Sequence, residues 1–417
     1  MVDLHKNLLS FKQAKKIMLN SIKKNNVETI NFEASEGRVL AEDIYSKTNI
    51  PEFDNSAVDG FGFINSNKMK RKLKIIGESK PGQPFLGKLK ENQAIKVFTG
   101  AYLLNEITNV DTVCMEEDTI TSGDNLKLER RFKTGSNIRL KGEDVKKNRK
   151  VFNAGRKIRS LDLAQLSSIG VKKLKVYKKL RVGIFSSGDE LCEIGSKKSK
   201  YQIYDANKLA LISLFKKIGC EVHDFGIVKD NYLQTKQKIF SKLNLIDILV
   251  TSGGVSKSKT DMIGKFFKEN GKIKFWRLAI KPGRPFVFGK IKNTPFIGLP
   301  GNPVAAVITF FMLTIDYVKV SSGAKERDII ERILPCDFSL KKKKGRTEWL
   351  RGKIIKKKNS LYLTKFSSTG SGIISSISQS QGIIELDEKK DFIKKGTLLK
   401  FIRYEDMLNW KSYILLV

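Results

Sequence analysis

Histidine and cysteine are scarce in this chain of 417 residues. It contains two histidines, His5 and His223, and four widely separated cysteines with no CxxC pair. Two histidines nearly exclude a histidine-based catalytic triad or a His-rich metal site. The cysteine spacing argues against zinc and against a disulfide framework, and it fits a reducing cytosol. Any chemistry must therefore use carboxylates, cations, backbone amides and hydroxyls.

Long hydrophobic runs are also missing from the sequence. No apolar stretch approaches the ~18 residues that would span a bilayer. The most apolar segment, residues 307–318, contains Asp316 and predicts a buried helix. The N-terminus lacks an apolar region followed by a small-residue cleavage site, which argues against secretion. We therefore expect a cytoplasmic protein without a membrane partner.

Acidic residues are too few to balance the basic ones, and the net charge is +36. Such a charge attracts nucleic acid, anionic lipid or anionic small molecules. The lysines are spread along the whole chain, and runs such as 341–344 and 356–358 have turn-like contexts typical of solvated surface. A nucleic-acid or scaffold-binding protein is therefore the disfavoured alternative, and we expect the charge to recruit small anionic substrates.

The length exceeds what one hydrophobic core supports, so several domains are expected. The pattern predicts an α/β multidomain protein with a discontinuous helical and extended linking domain (1–45 and 147–178). A β-rich module follows the first part of that domain (46–146). The remainder predicts a doubly wound, mostly parallel α/β domain (179–328) and a small C-terminal β-barrel-like domain (329–417) whose strands have no helix between them.

Local signals support this division. Ser10 and Gln13 form a possible capping box at the start of the first helix, and Gly170 and Gly219 end two later helices. From Leu180 onward, buried β-branched strands alternate with helices, which indicates a parallel sheet. In such sheets ligands bind beyond the carboxyl ends of the strands.

Two loops after buried strands carry chemistry. In SSGDEL, Asp189 and Glu190 are predicted at a helix start, where acids near the helix dipole are the plain structural explanation. In TSGGVSKSKTD, Gly253 and Gly254 would let backbone amides approach an anion, and Asp261 could hold a cation. The second loop also resembles a Walker A motif, but serine replaces its second glycine, which disfavours a P-loop nucleotidase.

Three further turns add charge and rigidity. Pro300 and Pro303 bracket a Gly-Asn turn before an apolar helix, and Lys281 and Arg284 flank a Pro-Gly turn. A rigid turn and a solvated surface turn are the respective alternatives. The segment PEFDNSAVDGF offers Asp59, although it could be only an Asx-turn. Acids that hold Mg²⁺ beside amides that hold phosphate are the parts of a site that handles a phosphoanhydride.

Several motifs in fixed order resemble the molybdopterin molybdenumtransferase family, which includes bacterial MoeA and the C-terminal part of gephyrin. The motifs that carry the resemblance are PEFDNSAVDGFGF, NIRLKGEDV, SSGDEL, IYDANKLAL, SGGVSxxxxD, FWRLAIKPGRPFVFGK and GLPGNPVAA. The resemblance extends from about residue 8 to the end of the chain.

The resemblance implies a four-domain homodimer that takes adenylylated molybdopterin and molybdate, inserts molybdenum and releases AMP, with Mg²⁺ as the divalent cation. It also allows partners among other proteins of molybdenum cofactor biosynthesis. A relative that adenylylates or only binds molybdopterin is the alternative, but the flanking β modules and Asp59 favour insertion.

Carried over motif by motif, the resemblance implies functional positions in three groups. The implied catalytic residues are Asp59, Glu190, Asp230 and Asp261, of which Glu190, Asp230 and Asp261 would hold the metal. The implied substrate-binding residues are Thr99, Arg139, Asp144, Gly253, Gly254, Ser256, Lys281, Arg284, Pro300, Pro303, Arg351 and Ser371. Lys281, Arg284 and Arg351 would attract the molybdate dianion, because fixed cations suit an oxyanion.

The chain departs from the family pattern in three places. The loop 102–111 lacks the usual prolines, the segment 256–260 is more basic than usual, and Arg284 stands where lysine is common. Arginine and lysine are not interchangeable at a bidentate contact.

Overall fold

The computed structural model describes residues 8–229, 231–255, 262–325, 330–368 and 370–409. The chain divides into two compact units. The large unit comprises Met1–Ala41, Gly155–Ile158 and Lys175–Val417, and the small unit comprises Glu42–Ala154 and Arg159–Leu174.

Short strands dominate the first part of the chain. In order, its elements are α1 (Phe11–Asn20), β1 (Val27–Asn31), β2 (Ile44–Tyr45), β3 (Asn55–Ser56), β4 (Gly60–Phe63), β5 (Lys72–Ser79), β6 (Gln93–Val97), α2 (Asn105–Thr108), β7 (Thr112–Met115), β8 (Thr119–Ser122), β9 (Asn125–Leu128), β10 (Ile138–Arg139), β11 (Lys150–Phe152), α3 (Ser160–Ser168) and β12 (Lys173–Tyr177). The predicted capping box is confirmed, because the Ser10 and Gln13 side chains each bond the other's backbone N–H at the start of α1.

Strands and helices alternate in the next part, and strands return after it. The elements are β13 (Arg181–Ser187), β14 (Leu191–Cys192), β15 (Ile203–Tyr204), α4 (Ala206–Lys217), β16 (Glu221–Val228), α5 (Tyr232–Phe240), β17 (Ile248–Ser252), α6 (Met262–Asn270), β18 (Gly271–Trp276), β19 (Ile280–Lys281), β20 (Val287–Ile291), β21 (Thr294–Leu299), α7 (Pro303–Thr309), α8 (Ile315–Ser321), β22 (Arg332–Pro335), β23 (Leu340–Lys341), β24 (Thr347–Lys357), β25 (Ser360–Lys365), α9 (Ser375–Ser378), β26 (Gly382–Leu386), β27 (Phe392–Ile393), β28 (Leu398–Arg403) and α10 (Tyr404–Leu408).

The small unit is built on a six-stranded sheet with the order β7-β4-β6-β5-β9-β8. Phe61 and Phe63 on β4 and Leu126 on β9 pack into one of its cores. Strand β4 runs antiparallel to β6, with Gly60 opposite Val97. Because Asp59 comes just before β4 and Thr99 just after β6, this pairing makes the two residues neighbours.

The predicted doubly wound sheet is confirmed in the large unit. Its order is β16-β13-β17-β21-β20-β18. The first four strands are parallel. Strand β20 pairs antiparallel with β21, and β18 pairs antiparallel with β20. One core contains Leu211 and Phe215 of α4, and a second core contains Ile239 of α5 and Phe266 of α6. Helices therefore cover both faces, as buried parallel strands require.

The most apolar helix lies inside the large unit. Helices α7 and α8 are continuous through the π-helical segment Phe310–Thr314. The whole span, Pro303–Ser321, is long and apolar enough to cross a membrane by length and composition, but almost all of its residues are buried inside the protein. This confirms the predicted buried helix at residues 307–318.

The C-terminal strands form the predicted barrel-like sheet. Its order is β19-β24-β26-β28-β22, and β25 pairs with β24. An isolated bridge between Cys336 and Leu363 brings the chain after β22 beside β25 and so joins the two ends of the sheet. The expectation that no helix separates these strands is wrong, because the short helix α9 lies between β25 and β26. A single helical turn is too short to give a helical pattern in the sequence.

The predicted helix start at Asp189 and Glu190 is also wrong. The two residues form a turn that leads into β14, and the helix begins only at Ala206. Asp205 is its N-cap, because its Oδ1 accepts the N–H groups of Asn207 and Lys208. The two-residue strands β14 and β15 are too short to give a periodic signal.

Candidate functional site

A cavity of about 1290 Å³ lies at the carboxyl ends of the parallel strands in the large unit. It is lined by Ser186 and Ser187 of β13, Ser252 at the end of β17, Gly253 after it, and Pro300 after β21. Loops that follow parallel strands meet at the same edge of a sheet. The loops after three of these parallel strands therefore meet at one cleft in the described part of the chain.

A close approach of two backbones requires glycine at position 253. Gly253 has a φ of +87°, and a Cβ atom there would lie 2.6 Å from the carbonyl oxygen of Ser187. The next residue, Gly254, also has a positive φ, +65°. Glycine adopts such conformations without steric cost, and successive backbone N–H groups in such turns can form a concavity that binds an anion.

The start of α4 is fixed to the strand ends by one amide. The Nδ2 group of Asn207 donates to Ser252 Oγ at 2.8 Å and to the carbonyl oxygen of Gly301 at 2.6 Å. Asp205, Asn207 and the adjacent Tyr204 all line the cavity. Asn207 therefore joins the helix to the loops after β17 and β21.

A buried acid holds two cations of the cavity wall. Glu348 on β24 is only 2% exposed. Its Oε2 lies 3.6 Å from Lys281 Nζ, and its Oε1 accepts a hydrogen bond of 2.8 Å from Arg346 Nε. Arg284, on the same turn as Lys281, is exposed and has no ion pair among the described residues. The site thus combines two cations that contact Glu348 with a third, Arg284, that is exposed.

A second basic turn also lines the cavity. It consists of Lys343, Lys344 and Arg346, around Gly345. Lys342 stabilises this turn, because its buried Nζ donates hydrogen bonds of at most 3.1 Å to four backbone carbonyl oxygens. Burial lowers the pKa of the Lys342 ammonium. The interpretation of the run 341–344 as solvated is therefore wrong for Lys342, which is buried because these carbonyls replace its water.

Arg351 holds a loop of the cavity. Its guanidinium is buried and donates to Ser376 Oγ at 3.0 Å and to the carbonyls of Ser368 and Gly370, each at 3.1 Å. Burial lowers the pKa of this guanidinium. The next loop residue, Ser371, accepts a hydrogen bond of 3.0 Å from Asn302 Nδ2. Arg351 itself is not among the lining residues, so it positions the loop that carries Ser371.

The structure brings most of the large-unit predictions together. The predicted residues that line the cavity are Glu190, Gly253, Gly254, Lys281, Arg284, Pro300, Pro303 and Ser371. Asp230, Ser256 and Asp261 lie outside the described residues.

The other predicted positions belong to the small unit. Asp59 Oδ1 accepts hydrogen bonds from the backbone N–H of Thr99 at 2.6 Å and from its hydroxyl at 2.9 Å. These hydrogen bonds, the backbone one first, lower the pKa of Asp59 below its ordinary value of 3.8. Arg139 ends β10, and Asp144 follows five residues later; both side chains are exposed. Asp59 is thus paired with Thr99, whereas the side chains of Arg139 and Asp144 have no hydrogen bond or ion pair among the described residues.

The described residues test the predicted metal site only in part. Among them, no three His, Cys, Asp or Glu side chains form a group that could hold a metal ion. Glu190 is exposed at the cavity and suits one ligand of a hard cation, which prefers carboxylate oxygen.

Sequence reasoning missed several residues of the site. The sequence pattern does not single out Lys343, Lys344 and Arg346, because a lysine run in a turn also fits solvated surface. Asp205 and Asn207 appeared only within a motif, although Asp before a helix is an N-cap signal. Their position at the cavity depends on long-range packing that no local pattern encodes.

Matches to known families cover most of the chain. Residues 9–170 match the "MoeA N-terminal region (domain I and II)", residues 183–319 match the "Probable molybdopterin binding domain", and residues 334–404 match the "MoeA C-terminal region (domain IV)".

Similar proteins match over nearly the full length. The molybdopterin molybdenumtransferase of Haemophilus influenzae is 33% identical over 412 residues, covering 96% of this chain and 100% of the relative. That of Staphylococcus epidermidis is 28% identical over 95% of this chain and 96% of the relative. The crystal structure of a molybdopterin biosynthesis MoeA protein from Pyrococcus horikoshii is similar with a TM-score of 0.81 and 26% identity, covering 97% of this chain and 100% of that chain.

Proposed function

Because the chain belongs to the molybdopterin molybdenumtransferase family, we propose that it transfers molybdate-derived molybdenum to adenylylated molybdopterin and releases AMP. It is thus a transferase of molybdenum cofactor biosynthesis. The carrying observation is the cavity at the strand ends, which the glycine loop at Gly253 and Gly254 lines together with several cations. We further propose that it acts as a cytoplasmic homodimer that can meet other proteins of the same biosynthesis.

The cationic wall supports molybdate as a substrate. Molybdate is a dianion, and Lys281, Arg284 and Arg346 offer positive charge at one side of the cavity. The buried carboxylate of Glu348 restrains two of these cations. Cations held before the substrate arrives need no reorganisation at the moment of reaction. Arg351 contributes to this wall by positioning the loop that carries Ser371.

The glycine loop supports the binding of a phosphate group. At Gly253 and Gly254 the backbone has no side chain that would keep an anion away. Backbone N–H groups in such turns form concavities that bind phosphate. The rigid turn between Pro300 and Pro303 lies beside them and forms a fixed wall. Ser256 extends the same loop in the proposal.

Mg²⁺ is the proposed cofactor, with Glu190, Asp230 and Asp261 as its ligands. Glu190 supports this assignment by its exposed position at the cavity. A bound Mg²⁺ would neutralise the charge of the phosphoanhydride whose cleavage releases AMP. Asp59, Thr99, Arg139 and Asp144 complete the proposed set of functional residues from the small unit.

Release of AMP tests the proposed function. Purified protein is incubated with adenylylated molybdopterin, molybdate and Mg²⁺, and AMP is quantified, with a parallel reaction that lacks molybdate. We expect AMP release that depends on molybdate. Absence of AMP release would overturn insertion and favour the alternative of a relative that only binds or adenylylates molybdopterin.

A further inference from the structure

The cavity wall at the start of α4 contains buried hydrogen-bond acceptors without donors. Asp205 is 3% exposed, and its Oδ1 accepts the N–H groups of Asn207 and Lys208, each at 3.1 Å. Its second oxygen, Oδ2, is buried and has no hydrogen-bond partner among the described residues. A buried acceptor left unpaired is unfavourable, so such groups in native proteins usually have a partner.

A second unpaired acceptor lies two residues further along the helix. The Oδ1 atom of Asn207 is buried and also lacks a partner within the described part of the chain. The orientation of this amide is fixed, because its Nδ2 group contacts the carbonyl oxygen of Gly301, which can only accept. Oδ1 therefore presents an acceptor and not a donor. Asp205 and Asn207 thus each have one unpaired acceptor, and both residues line the cavity; we call these two atoms the acceptor pair.

The surroundings of the acceptor pair suit a flat ring. Tyr204, which directly precedes Asp205, lines the cavity and is 46% exposed. Leu191 and Ile203 add apolar lining on the same side. Aromatic and apolar side chains stack on planar heterocycles, and a few placed polar groups then fix the ring's orientation. Ser186 Oγ, 1% exposed and unpaired among the described residues, can donate or accept.

We infer that Asp205 and Asn207, beside Tyr204, form the subsite that recognises the amino-substituted pterin ring of the substrate through its N–H donors. The inference rests on the proposed function, because it assigns one part of the proposed substrate to one part of its cavity. All three residues lie within the segment matched as a probable molybdopterin binding domain, residues 183–319.

Hydrogen-bond polarity distinguishes the two aromatic rings of adenylylated molybdopterin. Both rings are planar and carry an exocyclic amine. On the 2-amino-4-oxo ring of a pterin, the amine stands next to a ring N–H, which makes an edge of adjacent donors. On adenine, the amine is flanked by ring nitrogens that only accept. Acceptors on Asp205 and Asn207 therefore suit the donors of the pterin edge, whereas the ring nitrogens of adenine would offer them further acceptors.

Asp205→Asn tests the acceptor without removing the helix cap, because asparagine also caps helices and can still accept from the helix N–H groups. It replaces the acceptor Oδ2 by an NH₂ donor. Two probes are titrated into the full-length protein by fluorescence: 2-amino-4-oxopteridine and 2,4-dioxopteridine, which carries a carbonyl in place of the amine. We expect wild type to prefer the amino compound by on the order of tenfold, and Asp205→Asn to lose or invert this preference.

A general loss of structure would weaken the binding of both pteridines and would not invert the ratio of their affinities. Thermal unfolding of the variant checks that it folds. AMP is the third probe, and we expect Asp205→Asn to leave its affinity unchanged. The inference is overturned if the wild-type protein binds the two pteridines equally well. It is also overturned if the protein binds neither, which would mean that water alone pairs with the two acceptors. It is also overturned if the variant weakens only AMP. If molybdate-dependent AMP release persists in these cases, the subsite assignment fails while the proposed function stands.

Discussion

Lys281 and Glu348 occupy opposite positions on neighbouring strands, with their side chains 3.6 Å apart. Strand β19, which ends at Lys281, is paired in parallel with β24, which carries Glu348. A backbone pairing therefore brings a cation of the Pro-Gly turn beside a buried acid from the C-terminal sheet. Since Arg346 bonds the same carboxylate, one acid restrains two cations of the cavity wall.

Glu348→Gln should weaken molybdate binding. The substitution keeps the size of the side chain but removes the charge that holds Lys281 and Arg346, so both cations lose their fixed positions. We expect the KM for molybdate to rise by about threefold to tenfold with little change in kcat, because one restrained ion pair is worth about 1 kcal/mol. Steady-state AMP release at varied molybdate measures both constants. Glu331→Gln, which breaks the exposed pair with Lys400 in the same sheet, is the matched control; an equal effect there would contradict the assignment.

Replacing Lys343 and Lys344 by alanine should reduce the capture of anionic substrate. Both side chains line the cavity, so their loss lowers the positive potential that attracts phosphate. We expect kcat/KM to fall by about threefold to tenfold at low ionic strength, and the difference to shrink as salt screens the charges. Lys356→Ala with Lys358→Ala removes the same charge from the end of β24 and the turn after it, outside the cavity, and should have no such effect. Equal salt dependence in both double variants would show that only net charge matters.

Arg351→Ala should destabilise the protein as well as inactivate it. The substitution leaves the carbonyls of Ser368 and Gly370 and the Ser376 hydroxyl without their donor, which costs about 2 to 4 kcal/mol of unfolding free energy. Urea unfolding measures this change. Lys353→Ala, an exposed position on the same strand, is the control. If Arg351→Ala instead raises only the KM for molybdate at unchanged stability, the guanidinium is a direct ligand and not a positioning group.

Thr99→Val should raise the pKa of Asp59 toward its ordinary value of 3.8, because the hydroxyl hydrogen bond is lost while the backbone one remains. A carboxyl whose pKa is depressed by folding contributes stability above about 3.8 that is lost as the pH falls through its lower folded value. Loss of the Thr99 hydroxyl should reduce this contribution. NMR titration of the Asp59 carboxyl carbon tests this, with the exposed Thr121→Val as control. An unchanged pKa would show that the backbone N–H alone sets it.

Glu190→Ala and Asp261→Ala should each abolish turnover without unfolding the protein, since both acids are assigned to loops that bind the metal and substrate. AMP release and size-exclusion chromatography measure the two properties, and the exposed Glu91→Ala is the control. Normal activity in either variant would refute its assignment. Because the metal is part of this proposal, chelation by EDTA should stop the wild-type reaction and added Mg²⁺ should restore it.

Strong local patterns predicted the framework of this protein. The alternation of buried strands and helices after Leu180 gave the parallel sheet, and its strand ends located the cavity. Pro300 and Pro303 were predicted beside a ligand because a rigid turn follows a buried strand, and both line the cavity. Periodicity and turn chemistry are local properties, so they are readable in one sequence.

Long-range pairing explains what the sequence could not predict. The role of Glu348 depends on the alignment of β19 with β24, whose partners are 67 positions apart in the chain. The buried environments of Lys342 and Arg351 depend on carbonyls from distant turns. Asp189 and Glu190 resembled a helix start because the two-residue strands between them and Asp205 leave no pattern.

The location of bound molybdate tests the central claim most directly. A crystal of the full-length protein is soaked with molybdate, and anomalous scattering from molybdenum locates the anion. The account predicts a peak in the cavity, in contact with Lys281 or Arg284 and next to the loop that carries Ser371. Molybdate bound only on another surface, or no peak within the cavity at a saturating concentration, would contradict it.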